Sequence, residues 1–134
     1  VLEAVAVGIP AVFAAKSLEI EFIFENPGDA DRGREIYKSP AAQCATCHGM
    51  DGKGRGIAAW EPSLSKYILR DMWGNLAKPA DFTAPPLRGG STAVDIARSI
   101  SVGVGGTPMA SYGSTLTTLQ IADLVAYISS FTGN

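Results

Sequence analysis

The chain holds one histidine and two cysteines in 134 residues. That scarcity excludes a good deal. A structural zinc site needs about four ligands, and no second Cys or His pair is present to complete one. Basic residues give no surplus: 11 Lys and Arg stand against 13 Asp and Glu, for a net charge of -2. This argues against a nucleic-acid binder held by a basic surface. No apolar run approaches the roughly 20 residues that span a bilayer. Aromatic residues are only 8%, while 15 Gly and 8 Pro predict much turn and loop. What the chain does have is 46% hydrophobic residues, too many for a disordered segment. Its length suits one domain of about 100–150 residues.

The three scarce residues all lie in Cys44-Ala45-Thr46-Cys47-His48. This is C-x-x-C-H, the attachment signature of c-type haem. Two thiols on one short turn reach the two vinyl groups on one porphyrin edge and form thioethers. The next residue then stands under the iron, and its imidazole becomes an axial ligand. The competing readings are weaker. A redox dithiol of the thioredoxin kind sits in a βαβ pattern, and none surrounds this motif. A disulfide across two intervening residues is strained. Covalent haem also explains how a small, loop-rich chain is stable, since the porphyrin gives the core an apolar surface to close on. The haem-free chain is expected to be poorly folded.

With His48 used in the motif, no second histidine remains, and a bis-His haem within the chain is excluded. The other soft donors are Met50, Met72 and Met109. Met50 follows His48 too closely to reach the opposite haem face. Met72 lies in a stretch with helical apolar spacing, where a core role is the plainer reading. Met109 sits in Gly105-Gly106-Thr107-Pro108-Met109, a loop fixed by glycine and proline, and is the favoured sixth ligand. Met72 and an iron without a second protein ligand remain as alternatives. A thioether ligand favours Fe(II) and raises the potential, and two filled axial positions leave electron transfer as the default role.

With these motifs the sequence resembles the class I c-type cytochromes, specifically the small bacterial monohaem ones, from about Gly28 to the C-terminus. Gly33 and Tyr37 match the glycine and aromatic of that family's first helix. Leu124 and Tyr127 match the Leu-x-x-aromatic of its last helix. The resemblance implies a mainly α cytochrome c fold in which these helices cross, with Gly33 and Tyr37 against Leu124 and Tyr127. It also implies a proline whose carbonyl accepts the imidazole N–H, and Pro62-Ser63-Leu64 is the candidate element, with Pro79 and Pro85-Pro86 as competitors. Such a bond orients the imidazole and tunes its basicity. Tyr67 and Trp73 are further haem-pocket candidates. Trp60 and Trp73 are candidate propionate contacts, with core packing as the alternative.

Along the chain, helices are predicted over Asp29–Lys38, from a Ser63 cap to about Leu76, from a Ser91 or Thr92 cap to about Val102, and from a Thr117 cap onward. The segments 44–56, 77–90 and 103–112 are predicted to be irregular. Residues 1–27 stand apart from the haem domain of 28–134. Val1–Ala15 is almost wholly apolar, and Leu18, Ile20, Phe22 and Phe24 alternate with Glu19, Glu21 and Glu25, the signature of a half-buried strand. This N-terminal extended or β arm has three readings: a leader remnant with Val12-Phe13-Ala14 as cleavage site, an extension packed on its own domain, or an arm that docks on a neighbouring subunit. Residues 1–35 sum to -4 and the remainder to +2. Lys53, Arg55, Lys66, Arg70 and Lys78 are thus candidates for steering a partner.

The resulting expectation is an extracytoplasmic electron carrier with one haem c, not an enzyme, that exchanges electrons with partner proteins. The alternative is a subunit of a larger assembly or cytochrome polymer, homo-oligomeric through residues 1–27. Contact with a membrane is left open. A haem enzyme or gas sensor requires an open iron position.

Overall fold

Four helices and one two-stranded ribbon make up the described part of the molecule, residues 27–133 of a computed structural model. The arm predicted over 1–27, its strand included, lies outside these residues except for Pro27. Helix α1 spans Ala30–Lys38. The Asp29 carboxylate accepts from the Arg32 amide at its start, and Asp31 and Lys38 complement the helix dipole at its two ends. The turn α2 is Cys44–His48. Helix α3 spans Ala93–Val102 and α4 spans Thr118–Thr132. Thr92 and Thr117 cap them, each with a reciprocal partner three residues on, Asp95 and Gln120. These helices lie within a residue or two of their predicted ends, because cap chemistry is local and legible in sequence.

Helices α1 and α4 form the centre of the fold. They meet at Gly33, where a Cβ would stand 1.9 Å from the Asp123 carbonyl oxygen and 2.9 Å from the Tyr127 Cβ. Only glycine permits that approach. Tyr37 and Leu124 are fully buried, and the Tyr37 and Tyr127 rings meet edge to face at 5.1 Å. Helix α3 closes the core with Ile96, Ala97 and Ile100 against Ile121, Val125 and Ile128.

One buried charge ties the crossing. Asp123, 2% exposed, accepts from Arg32 Nε at 3.0 Å, from Arg32 Nη2 at 3.1 Å and from the Asp29 amide at 2.7 Å. The carboxylate so placed raises the pKa of the Arg32 guanidinium, against a smaller opposing effect of burial. Asp123→Asn keeps the shape but removes the charge and one acceptor. It is expected to lower stability by about 1–3 kcal/mol, read as a shift of the denaturant midpoint at unchanged slope.

The helix predicted over Ser63–Leu76 does not form. A hairpin replaces its start: β1 (Trp60–Glu61) pairs antiparallel with β2 (Lys66–Tyr67) across a single 3-10 turn, Pro62–Leu64. Local polar bonds out-compete the helix. Glu61 accepts from the Ser63 amide and hydroxyl, and Asp71 accepts from the Trp73 and Asn75 amides. Ser65 then takes a left-handed conformation, φ 49°. Met72 and Trp73, both read as possible core residues, are 73% and 70% exposed.

Candidate haem site

The Cys-x-x-Cys-His turn is held from both sides by buried or half-buried tyrosines. The Tyr37 hydroxyl donates to the Gly49 carbonyl at 2.7 Å, and the Tyr112 hydroxyl donates to the Ala42 carbonyl at 2.6 Å. Burial pushes the ionisation of both phenols up, so each stays a donor. Past the turn the chain folds back on it. The Gly54 amide donates to the His48 carbonyl, and the Gly56 amide to that of Cys47. A Cβ on Gly56 would stand 2.2 Å from the Thr46 carbonyl oxygen, so this return requires glycine.

His48 is fixed on one nitrogen and one ring face. Its Nδ1 lies 3.2 Å from the Ala80 carbonyl, which makes Nδ1 the protonated nitrogen and leaves the lone pair on Nε2. Nε2 makes no hydrogen bond with the described residues. The ring stacks on Phe82 at 4.5 Å and 17°, and Phe82 continues to Phe131. The carbonyl expected from Pro62 is thus supplied by Ala80, next to the competing Pro79. The Pro62 carbonyl instead accepts from the Ser65 amide. The approach of 79–82 is set by the Phe82 amide, which donates to Gly52 at 2.7 Å. The stacking of Phe82 and the role of Ala80 were not anticipated from sequence. The competing Pro79, and the resemblance of the stretch Lys78-Pro79-Ala80-Asp81-Phe82-Thr83 to the same bacterial subgroup, pointed towards this segment without giving either role.

Burial lowers the pKa of His48 below its ordinary 6.5, against a smaller opposing effect of the Ala80 bond. The sign of the linkage follows. The folded chain keeps the imidazole neutral, while the unfolded chain takes up the proton first as pH falls. This group's contribution is fully present above about pH 6.5 and is lost below it, with a slope approaching about 1.4 kcal/mol per pH unit. Iron bound at Nε2 would act in the same direction. Denaturant midpoints at pH 7, 6 and 5 are expected to fall in that order, with little change between pH 7 and 8.

The thiols argue against a redox dithiol. Burial pushes Cys44 up to about 11 and raises Cys47 as well. A reactive dithiol requires the opposite shift. Among the described residues no cluster of His, Cys, Asp and Glu is arranged to hold a metal ion by itself.

The Met109 loop leaves α3 at Gly103. The Val104 amide donates to the Met109 carbonyl at 3.2 Å, and the Met109 amide donates to Thr107 Oγ1 at 3.2 Å. The 71–75 turn is joined to this loop. The Met72 amide donates to the Gly106 carbonyl at 2.8 Å, and a Cβ on Gly106 would meet Trp73 Cζ3 at 2.4 Å. Trp73 therefore braces the Met109 loop. Trp60 and Tyr67 meet edge to face at 4.9 Å, with Arg55 over Trp60 at 4.3 Å and Lys78 over Tyr67 at 5.3 Å.

The donor set fits an iron porphyrin. Two thiols and an imidazole whose Nε2 has no hydrogen bond among the described residues share one turn, and apolar surface is available for a macrocycle. Nine of the ten large hydrophobic side chains exposed among the described residues fall between Met50 and Val104, in the connections and at the end of α3. The crossing helices, the tyrosine-clamped turn and the bracing loops define a small helical haem protein.

The chain belongs to the cytochrome c family, whose model matches residues 30–132. As a member it binds a covalently attached haem c with its iron. A search of curated proteins finds no relative. Among solved structures it is similar to a chain of the reducing HAO-like protein complex of Kuenenia stuttgartiensis. The two are 32% identical, with a TM-score of 0.64, and the match covers 75% of this chain and 42% of the other. The present chain thus corresponds to less than half of that neighbour.

Proposed function

We propose that this protein is a one-electron carrier outside the cytoplasm, with His48 and Met109 as axial ligands and Cys44 and Cys47 as the thioether residues. The observation that carries the reading is the His48 imidazole, tied at Nδ1 to Ala80, stacked on Phe82 and without a hydrogen bond at Nε2 among the described residues. When bound, the haem supplies reversible Fe(III)/Fe(II) chemistry. The chain's residues hold and tune it. Ala80 orients the imidazole and increases its donor strength. The Thr107 hydroxyl and Val104 amide set the backbone of the methionine loop. The apolar N-terminal stretch with Val12-Phe13-Ala14 supports export.

An anaerobic redox titration followed by absorption tests the reading. A single reversible one-electron wave, with a thioether–iron charge-transfer band in the oxidised form, is expected. Binding of carbon monoxide by the reduced wild-type protein would reveal an open iron position and favour an enzyme or sensor.

The partners are redox proteins. Lys53, Arg55, Lys66 and Lys78 are exposed and make no ion pair among the described residues. Such a cationic region steers an acidic partner, so the electron-transfer rate with one is expected to fall as salt rises from 10 to about 150 mM, where the screening length shortens to about 8 Å. A second reading is a subunit of a larger assembly in which haems relay electrons. It draws on the neighbour, whose chain is part of a protein complex.

A further inference from the structure

The Met109 loop is anchored at its base and at its tip by different parts of the fold. At the base, the Gly103 amide donates to the Ser99 carbonyl, and the Tyr112 and Gly113 amides donate to Ile100 and Ser101 of α3. The Ser111 hydroxyl also donates to the Ser101 carbonyl. Inside the loop, Val104, Thr107 and Met109 bond to one another. Among the described residues one hydrogen bond leaves the stretch from Val104 to Ala110: the Gly106 carbonyl accepts from the Met72 amide at 2.8 Å.

The partner of that bond is a turn stiffened by its own polar groups. Residues 69–77 double back, with the Ala77 amide donating to Leu69 and a bridge between Arg70 and Leu76. The Asp71 carboxylate accepts from the Trp73 and Asn75 amides, both at 2.9 Å, and the Asp71 amide donates to the Asn75 carbonyl. The Arg70 guanidinium donates to the Gly74 carbonyl at 3.2 Å. Trp73 stands on this turn. Its ring covers Gly106 so closely that a Cβ there would stand 2.4 Å from Cζ3 and 2.5 Å from Cη2. Gly106 has a φ of 78°, a conformation that favours glycine. Trp73 is otherwise exposed. A large ring outside the core that rests on one glycine acts on the loop more than on the fold.

We infer that Trp73 is a positioning residue for Met109. It pins the tip of the loop, three residues from the methionine, and so limits how often the thioether leaves the iron. The inference rests on the proposed ligation by Met109. Without the ring, the tip keeps a single hydrogen bond to the rest of the fold, and the loop opens more often while its base and the helices stay in place. An added ligand reaches the iron only in the open form, so its apparent affinity rises with the open fraction.

Imidazole titrated into the oxidised, haem-loaded chain and followed by absorption reads that fraction. Trp73→Ala is expected to raise the apparent affinity about tenfold, with the far-ultraviolet midpoint of global unfolding little changed. Trp73→Phe keeps a flat ring over Gly106 and is expected to recover most of the difference. Gly106→Ala completes a cycle. Its methyl strikes the ring in the wild type and meets no ring in Trp73→Ala, so the rise it causes is expected to be several-fold smaller in the second background. Unchanged affinity in Trp73→Ala overturns the inference. So does a rise matched by an equal loss of global stability, or additive effects in the cycle. Met109→Ala separates the two claims, because no opening step remains in it and it is expected to bind imidazole most tightly. If it binds no more tightly than the wild type, the ligation fails and the positioning role falls with it. If it binds more tightly while Trp73→Ala matches the wild type, the ligation stands and the role of Trp73 alone is overturned.

Discussion

Replacement of Met109 by alanine is expected to lower the reduction potential by on the order of 100 mV or more, within the roughly 0.8 V range that axial ligation spans. On the proposed ligation the thioether sulfur stabilises Fe(II) over Fe(III), and its loss weakens that preference. On that proposed ligation the same change opens one axial position, so the reduced variant is expected to bind carbon monoxide where the wild type does not. Folding is expected to persist, because Met109 is half-buried in a loop whose backbone is held at Val104 and Thr107. Met72→Leu is the control. Its side chain is 73% exposed, and only its amide is used, on Gly106. A potential that moves with Met72 and not with Met109 would reverse the two methionines.

The second large effect falls on stability. In Gly33→Ala the new methyl meets the Asp123 carbonyl oxygen at 1.9 Å and its carbon at 2.6 Å. Both are backbone atoms of α4, so no side-chain rotation relieves the clash. The helices must separate, and the Tyr37–Tyr127 contact and the Asp29 and Arg32 bonds to Asp123 loosen with them. A loss of about 3 kcal/mol or more is expected. For a body of this size that lowers Tm by more than about 10 °C. Gly105→Ala gives the comparison, since a Cβ there meets nothing within 4 Å. Its Tm is expected to stay within a few degrees of the wild type. Equal losses at the two positions would contradict the crossing as the centre of stability. Covalent attachment keeps the haem in both variants, so thermal unfolding is followed by far-ultraviolet circular dichroism rather than by haem content.

What the sequence made legible was local chemistry. Asp29, Thr92 and Thr117 mark helix starts because an N-cap bond spans only three residues. Cys44–His48 carries its meaning within five residues. Gly33 was legible through resemblance, and the close approach at Asp123 gives its physical reason. The failures were of two kinds. Over 63–76, the spacing of Leu64, Tyr67, Ile68 and Met72 imitates a buried helix face, yet Leu64, Ile68 and Met72 are exposed and the backbone is taken by the Glu61 and Asp71 side chains. Periodicity cannot separate a helix from apolar residues carried by a hairpin and turns. The other failure was tertiary. Which carbonyl reaches His48 depends on the 79–82 segment folding over Gly52 and Gly54, a long-range event with no signal at Pro62. Asp123 was passed over for a related reason: a single acid on an apolar helix face takes its meaning from Arg32 and Asp29, about ninety residues away.

The central claim is that Met109 completes the iron site opposite His48. Proton NMR of the reduced protein with carbon-13-labelled methionine methyls tests it most directly. A methyl bonded through sulfur to the iron lies over the porphyrin and is moved far upfield by its ring current. The account predicts one such methyl among the three methionines, assigned to Met109 by its persistence in Met72→Leu and its loss in Met109→Ala. Three methyls at ordinary positions, or an upfield methyl that disappears in Met72→Leu, would contradict it.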